Sequence, residues 1–272
     1  MQLCIAWIGC GMKALTFIVR FLTAQYKDHM QKMTRRTYLI PPPSAVAGMF
    51  GAILGLEMEE LYKVSDEILA GAELRFLGGR IITLARTFKM HCSVSELVRL
   101  LKRYYAGERS EYVINKMQKL LTIKESEELY MPEYKFAIAS SNEALVGEGM
   151  KRLKEHDVEY DIFGGNDYHF IEFIGDPKPA ELKKSSEGCG YCRREDFERI
   201  EAETFNVVWE MRGIGGELTP LVMPVTFLAN VKEDFIQVYG AKIRLKSERE
   251  VVNDGESKIF VHKVKPFLTL RI

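Results

Sequence analysis

The most regular alternation of hydrophobic and polar positions lies near the start of the chain, in residues 13–23. Large hydrophobic side chains occupy every second position there, at Leu15, Phe17, Val19 and Phe21. A period of two residues is typical of a β-strand with one face turned to the core. We therefore predict a strand over this range, and its apolar content indicates a central place in a sheet.

Residues 38–56, YLIPPPSAVAGMFGAILGL, show a different pattern that is apolar on all sides. Proline disfavours helix in the residue before it but is well tolerated at the first helical position, so a helix should begin at about Pro43. Gly48, Gly51 and Gly55 recur along one side of this helix and leave that side nearly smooth. Glycine inside a helix costs roughly 1 kcal/mol relative to alanine. We therefore predict that the smooth side packs closely on a flat surface, either a β-sheet or another chain, and we favour the protein's own sheet.

The following segments carry signals of both strands and helices. Residues 73–89 resemble a β-hairpin that turns at a pair of glycines. Two amphipathic helices are predicted over residues 93–105 and 110–121, and they have the character of an insertion. Residues 134–139 form the next predicted strand.

A helix over residues 140–155, capped by Ser140, and a strand over residues 168–174 complete this part of the chain. The resulting order of elements is β-α-β-β-α-β, which is typical of a ferredoxin-like or RRM-type unit. The sequence thus predicts an α+β fold with a ferredoxin-like domain over residues 12–175. The two inserted helices place a helical insertion at about residues 91–132.

The remaining segments differ from this domain in composition. Residues 1–11 are apolar and too short for a membrane span, so we expect an N-terminal extension. Residues 176–203 contain prolines, lysines and a Cys-Gly-Tyr-Cys turn, which favour an extended loop or thumb. Residues 204–272 alternate strand-like runs with glycine-bearing turns, so a small β-rich C-terminal lobe is predicted.

Charge restricts any nucleic-acid site to a local surface. Lysine plus arginine and aspartate plus glutamate both number 38, so no bulk positive field would attract RNA. Residues 12–50 nevertheless hold six positive residues against one acid, a local net charge of +5. Cationic side chains can hold phosphates and aromatic rings can stack on bases. The candidates for RNA contact are Arg20, Lys32, Arg35, Arg36, Tyr38 and, beside the glycine pair of the hairpin, Arg80.

Two glycines in the middle of the chain are a further candidate. Gly164 and Gly165 permit positive φ and close approach of a backbone to a ligand, so amides there could cradle a phosphate. A plain turn is the alternative interpretation. The chain contains neither a phosphate-binding loop of Walker type nor a dinucleotide fingerprint.

Catalytic and metal-binding alternatives stay open at this point. Metal-independent cleavage of RNA requires a base for the 2′-hydroxyl and an acid for the leaving oxygen. Side chains that could supply them are Tyr26, His29, Tyr38, Lys89 and His91. Cys189 and Cys192 have the spacing of half a zinc site or a dithiol, but a second pair is missing. The odd total of five cysteines favours reduced thiols over a disulfide framework.

A family resemblance adds to this interpretation. One set of residues comprises Thr37-Tyr38, Pro41-Pro42-Pro43-Ser44-Ala45, Gly48, Gly51 and Gly55. This set resembles the amino-terminal signature of the Cas-five family. Members of that family are the RAMP-type subunit that caps the crRNA 5′ end in type I CRISPR effector complexes (Cascade). Residues 163–167, FGGND, are similar to the mid-chain glycine motif of the family. The resemblance is dense over residues 13–56 and fades after the second motif.

The resemblance implies a cytoplasmic crRNA-binding structural subunit with no cofactor and no membrane contact. Its expected partners are the crRNA 5′ handle, the Cascade backbone subunit and the large subunit, and Thr37-Tyr38 with the proline turn would lie close to the handle. One branch of the family processes crRNA with tyrosine, lysine and histidine, so a metal-independent endoribonuclease remains an alternative. A zinc or thiol-redox protein that uses Cys189 and Cys192 is the third.

Overall fold

A computed structural model describes residues 13–28, 35–88, 93–165, 168–201, 221–228 and 232–268. The chain is a mixture of helix and sheet in which sheet predominates. Its helices are α1 (Pro43–Leu54), α2 (Met58–Val64), α3 (Val94–Tyr105), α4 (Glu111–Leu120) and α5 (Glu143–Glu155), with a short 3-10 helix at Lys265–Phe267. The strands are β1 (Lys13–Phe21), β2 (Thr23–Ala24), β3 (Tyr26–Lys27), β4 (Thr37–Tyr38), β5 (Ile68–Phe76), β6 (Gly79–Phe88), β7 (Leu121–Tyr130), β8 (Glu133–Ser140), β9 (Ile171–Arg193), β10 (Phe197–Glu201), β11 (Leu221–Leu228), β12 (Lys232–Asn253), β13 (Lys258–Phe260) and β14 (His262–Lys263).

The main sheet is organised around β1, and the prediction of a central strand there is confirmed. Its strand order is β10-β12-β13-β9-β1-β8-β5-β14, with β11 paired to β12. Both neighbours of β1 run antiparallel to it. Leu15, Phe17, Val19 and Phe21 are fully buried, as their alternation predicts.

Two helices cover one face of this sheet. Six elements follow one another along the chain in the order β-α-β-β-α-β, with other elements between them. They are β1, α1, β5, β8, α5 and β9. Phe17 of β1, Phe50 of α1 and Phe136 of β8 belong to the same buried cluster between helices and strands. The strands near the C-terminus cover part of the other face, where Val252 and Ile259 pack with alanines of β1 and β8.

Helix α1 begins at Pro43, as predicted, and ends where Gly55 adopts a left-handed conformation with φ of 73°. The predicted packing of its glycines on the sheet is wrong. A side chain at Gly48 would meet nothing within 4 Å, and one at Gly51 would touch Leu61 of α2 at 3.4 Å. The branched and aromatic residues of α1 face the buried cluster instead, because they bury more apolar area than glycine does.

The close approach between helices α1 and α5 depends on a glycine of α5. A Cβ atom at Gly149 would lie 2.4 Å from the buried Phe50 ring, whereas one at Gly147 on the same helix would meet nothing within 4 Å. We expect Gly149→Ala to lower the free energy of unfolding by about 1–3 kcal/mol through overpacking. Gly147→Ala should raise it by about 0.5–1 kcal/mol, because alanine is the better helix former. Urea unfolding of both variants checks this contrast, and equal effects would contradict it.

The predicted hairpin over residues 73–89 is wrong. Strand β5 pairs with β8, whereas β6 pairs with β7 in a separate three-stranded sheet of order β2-β7-β6. The glycine at position 78 serves close packing, since a Cβ atom there would lie 3.0 Å from the carbonyl oxygen of Tyr130. Helices α3 and α4 lie between β6 and β7 and confirm the two helices predicted there, although strand β7 was missed.

The N-cap residue predicted for α3 is confirmed, whereas the one predicted for α5 is wrong. The Ser93 hydroxyl caps α3 and accepts from the Glu96 amide at 3.3 Å, as predicted. Helix α5 is capped by Asn142, whose side chain accepts from the Leu145 amide, and not by Ser140. Asparagine is among the best N-cap residues, and it stands directly before the first helical residue.

The predicted loop or thumb over residues 176–203 is regular strand over most of its length. Strand β9 continues to Arg193, first beside β1 and then beside β12, and β10 follows at Phe197–Glu201. The segment Cys189 to Cys192 therefore lies in a strand and not in a turn. Strands β12 and β13 join the same sheet through β9, so the described C-terminal residues do not form a sheet of their own.

Within the described ranges, every helix is too short or too polar to cross a lipid bilayer.

Candidate nucleic-acid interface

The sheet face opposite the helices carries an exposed arginine next to an exposed phenylalanine. Arg20 of β1 alternates with Val19 and Phe21, which face the helices. Its direct neighbour on β9 is Phe173. Because residues paired across antiparallel strands point to the same side, the guanidinium and the ring lie on one surface.

A second arginine joins this surface from β5. The Glu133 carboxylate of β8 accepts from Arg20 Nε at 3.0 Å and lies 4.0 Å from Arg75 Nε. The side chains of Arg20 and Arg75 are 40% and 43% exposed, and Phe173 is 42% exposed, so all three are accessible to a ligand. We call Arg20, Arg75 and Phe173, with Glu133 between the arginines, the arginine–phenylalanine surface.

Further hydrophobic and aromatic side chains continue this surface at the ends of the strands. The Leu22 amide donates to the Phe170 carbonyl at 3.1 Å, and the Leu22 carbonyl accepts from the Met131 amide at 2.9 Å. Leu22, Tyr130 and Phe170 are all exposed. Exposed aromatic rings near arginines are typical of surfaces that stack single-stranded bases.

Two of the predicted RNA contacts meet at strand β7. Arg80 Nη1 donates to the Glu127 carboxylate at 3.1 Å, and the Arg35 carbonyl accepts from the Glu127 amide at 2.9 Å. Arg36 is exposed, and its carbonyl accepts from the Asp28 amide at 2.9 Å. Strand β7 pairs with β2, which follows β1 directly, so the structure brings Arg35 and Arg80 to the same end of the sheet as Arg20.

The glycine pair supports the backbone beside β2. The Gly164 carbonyl accepts from the Gln25 amide at 2.7 Å, and the Gly164 amide donates to the His169 carbonyl at 2.8 Å. Gly165 has φ of 106°, and a Cβ atom there would lie 2.0 Å from the Gln25 carbonyl oxygen. Because the Gly164 amide is already hydrogen-bonded, the geometry fits the turn alternative, and contact of these glycines with RNA stays a prediction.

The two described tyrosines of the nuclease hypothesis are buried. Tyr38 is 3% exposed, donates from its hydroxyl to the Thr226 carbonyl at 2.7 Å and packs edge-on against Phe227. Tyr26 is 4% exposed and packs edge-on against Tyr134, and burial raises its pKa. Stacking of a base on Tyr38 does not fit this burial, because the ring packs in the chain's own core, and any other contact of Tyr38 with RNA stays a prediction. The predicted RNA contact Lys32 and the nuclease candidates His29, Lys89 and His91 lie outside the described residues.

The two cysteines are buried in strand β9. Burial raises the pKa of Cys192 to about 12 and also raises that of Cys189. A raised pKa disfavours the thiolate that metal binding or redox chemistry requires. The residues described by the structure hold no group of three or more metal-ligating side chains.

Comparison with known proteins decides the family. The family model described as CRISPR-associated protein (Cas_Cas5) matches residues 14–174, more than half of the 272-residue chain. The chain belongs to the Cas5 family. A search of curated protein sequences finds no match.

Several solved structures resemble this Cas5-family chain. A CRISPR RNA-guided surveillance complex contains a chain with 13% identity and a TM-score of 0.41, covering 85% of this chain and 91% of that one. A CRISPR protein from Archaeoglobus fulgidus has 12% identity and a TM-score of 0.45, covering 93% and 100%. A structure titled as a Cas protein has 13% identity and a TM-score of 0.34, and the match spans 58% of each chain. Because these TM-scores are below 0.5, the family assignment rests on the sequence model alone.

The sequence pointed to part of this surface. Arg20 was found as a positive residue in the basic stretch, but Arg75 and Phe173 were missed, although all three lie within the range that matches the Cas5 family. Phe173 stands in an apolar run that reads as a buried strand. Only its pairing with Arg20 across the sheet shows that it faces outward.

Proposed function

We propose that this Cas5-family protein is a non-catalytic, crRNA-binding structural subunit of a type I Cascade complex. It grips the crRNA 5′ handle, caps the filament of backbone subunits and contacts the large subunit in the cytoplasm. The observation that carries the proposal is the arginine–phenylalanine surface on the sheet face opposite the helices. Family membership supports the CRISPR context.

The architecture supports RNA binding at this surface. The order β-α-β-β-α-β around β1 is that of a ferredoxin-like, RAMP-type domain, to which we assign residues 12–175. Domains of related RRM type bind single-stranded RNA on an exposed sheet face, where aromatic side chains stack on bases. In this chain Phe173 supplies the ring, and Arg20 and Arg75 supply positive charge on either side of Glu133.

Substitution of these three residues should weaken RNA binding in distinguishable ways. Phe173→Ala should cost about 1–3 kcal/mol of binding free energy through lost base stacking, with little change in salt dependence. Arg20→Ala with Arg75→Ala should weaken binding and flatten its dependence on salt, because fewer counterions are released. Filter-binding titrations with single-stranded CRISPR-repeat RNA at several salt concentrations measure both effects.

A charge-matched control comes from strands β9 and β10. Arg193 and Arg199 are exposed and paired with glutamates, as Arg20 is, but they lie outside the arginine–phenylalanine surface. Their double alanine variant should bind RNA like the unsubstituted protein. Equal losses in the two double variants would mean that the positive charge acts without a defined site, and unchanged affinity in Phe173→Ala would remove the ring from the interface.

A further inference from the structure

A cavity opens beside the arginine–phenylalanine surface, and we propose that it holds one nucleobase of the bound RNA, of the kind that carries an exocyclic amino group. This inference rests on the proposed function. The cavity has a volume of about 320 Å³ and lies between β5, β8 and β12. Ligand sites in proteins occupy roughly 300–1,000 Å³, so it suits a small planar group.

The position of the cavity follows from the covering of the sheet. The C-terminal strands cover the sheet face opposite the helices only in part, and β12 bends at Gly240, which has φ of 79°. Tyr239 and Gly240 line it from β12, and Arg75 and Glu133 line it from β5 and β8. Arg75 and Glu133 also belong to the arginine–phenylalanine surface, so a strand of RNA held there lies next to the cavity.

Two acidic side chains, Glu73 and Glu133, line the cavity. Glu133 is already engaged by Arg20, which leaves the Glu73 carboxyl as the available acidic group. Glu73 pairs across the sheet with Lys135, its carboxyl hydrogen-bonds to the Cys189 thiol, and burial raises its pKa. As a carboxylate this group has only acceptor oxygens, and the positive charges of Lys135 and Arg75 favour that form.

A carboxylate that lines a small cavity distinguishes amino bases from uracil. Cytosine presents an N4 amino donor to glutamate, whereas uracil presents a carbonyl oxygen at the same position. Two facing acceptors repel each other and remain unpaired when buried. RNA recognition commonly uses single bases turned out of a strand and read on their edges.

The experiment compares two short RNAs, a uridine oligomer and the same oligomer with one central cytidine. Because either RNA can slide along the surface, the cytidine can reach the cavity in at least one register. We expect the purified full chain to bind the cytidine-containing RNA about tenfold more tightly in fluorescence anisotropy titrations. Glu73→Gln should abolish this preference and leave the affinity for the uridine oligomer unchanged, because the amide can turn a donor or an acceptor toward the base.

Glu172→Gln is the matched control, since Glu172 is an exposed glutamate near Arg20 that does not line the cavity. It should keep the preference for cytidine. If Glu73→Gln lowers the melting temperature, Glu73→Asp replaces it, because the shorter side chain withdraws the carboxyl from the base. Equal affinity of the unsubstituted protein for both RNAs would overturn the cavity as a base site, whereas failure to bind either RNA would overturn the proposed function itself.

Discussion

Replacing Asp254 by alanine should lower the free energy of unfolding by about 3–5 kcal/mol, because it leaves a buried lysine without its main partner. Lys135 Nζ lies 2.6 Å from Asp254 Oδ2, and both side chains are buried. The Asp254 carboxylate also accepts from the Thr16 hydroxyl at 2.9 Å and from the Ser257 amide at 3.0 Å. The cluster joins the turn after β12 to β1 and β8 at the covered part of the sheet.

A partner at the edge of the same cluster provides the control. Glu256 contacts Lys135 at 3.1 Å, but its side chain is 57% exposed. Glu256→Gln should therefore change the free energy of unfolding by less than about 1 kcal/mol. Urea unfolding at neutral pH measures both variants, and similar small losses in the two would show that the buried pair contributes little.

The pH dependence of stability should change with this substitution. Burial alone would raise the pKa of Asp254, but hydrogen bonds from Lys135, Thr16 and the Ser257 and Glu256 amides outweigh it and lower the pKa to about 2. A lowered pKa contributes stability that is fully present above the unfolded value of about 4 and is lost as pH falls toward 2. The Asp254→Ala protein should lack this part of the acid-induced loss, as urea unfolding between pH 5 and about 2 would test.

Gly71→Ala should lower the free energy of unfolding nearly as much as Asp254→Ala, because the added side chain would clash with the backbone of a neighbouring strand. A Cβ atom at Gly71 of β5 would lie 2.0 Å from the Phe260 carbonyl oxygen of β13. Relief requires that β13 move away from β5, so we expect a loss of about 3 kcal/mol or more in the free energy of unfolding. Gly48→Ala on α1 is the control, because a side chain there would meet nothing within 4 Å. A Gly71→Ala protein that melts at the unsubstituted temperature would show that β13 can shift without cost.

Local periodicity predicted the elements whose two faces differ in burial. Helix α5 alternates buried and exposed positions in a way that the sequence displays directly. In β1 the large apolar side chains at every second position mark the face under the helices, although nearly the whole strand is buried. Only the start of β9 was predicted, in the strand over residues 168–174, because Pro177 and Pro179 interrupt the pattern beyond it. Both prolines lie in the half of β9 that pairs with β1 before the pairing with β12 begins at Glu181, and a strand with one free edge tolerates proline.

The pairing partners of the strands and the residues of the exposed surface could not be predicted, because both depend on contacts between residues that are far apart in the sequence. The glycine pair at positions 78 and 79 had the composition of a hairpin turn, yet β5 and β6 pair with strands that begin more than thirty residues later in the chain. Tyr38 was assigned to RNA contact by its neighbours in sequence, whereas its position against Phe227 follows from strand β11 far along the chain. Arg20 was predicted because its charge is visible in the sequence, but the ring beside it was not.

The length of β9 has a consequence for how the protein unfolds. Glu181 is paired with Lys13 of β1 on one side and with Asn253 of β12 on the other, so a single strand belongs to both parts of the sheet. Opening either part strips hydrogen bonds from the shared strand, which couples the two openings energetically. We expect the central amides of β9 to exchange with solvent only on global unfolding, so the family-matched region and the C-terminal strands behave as one cooperative unit.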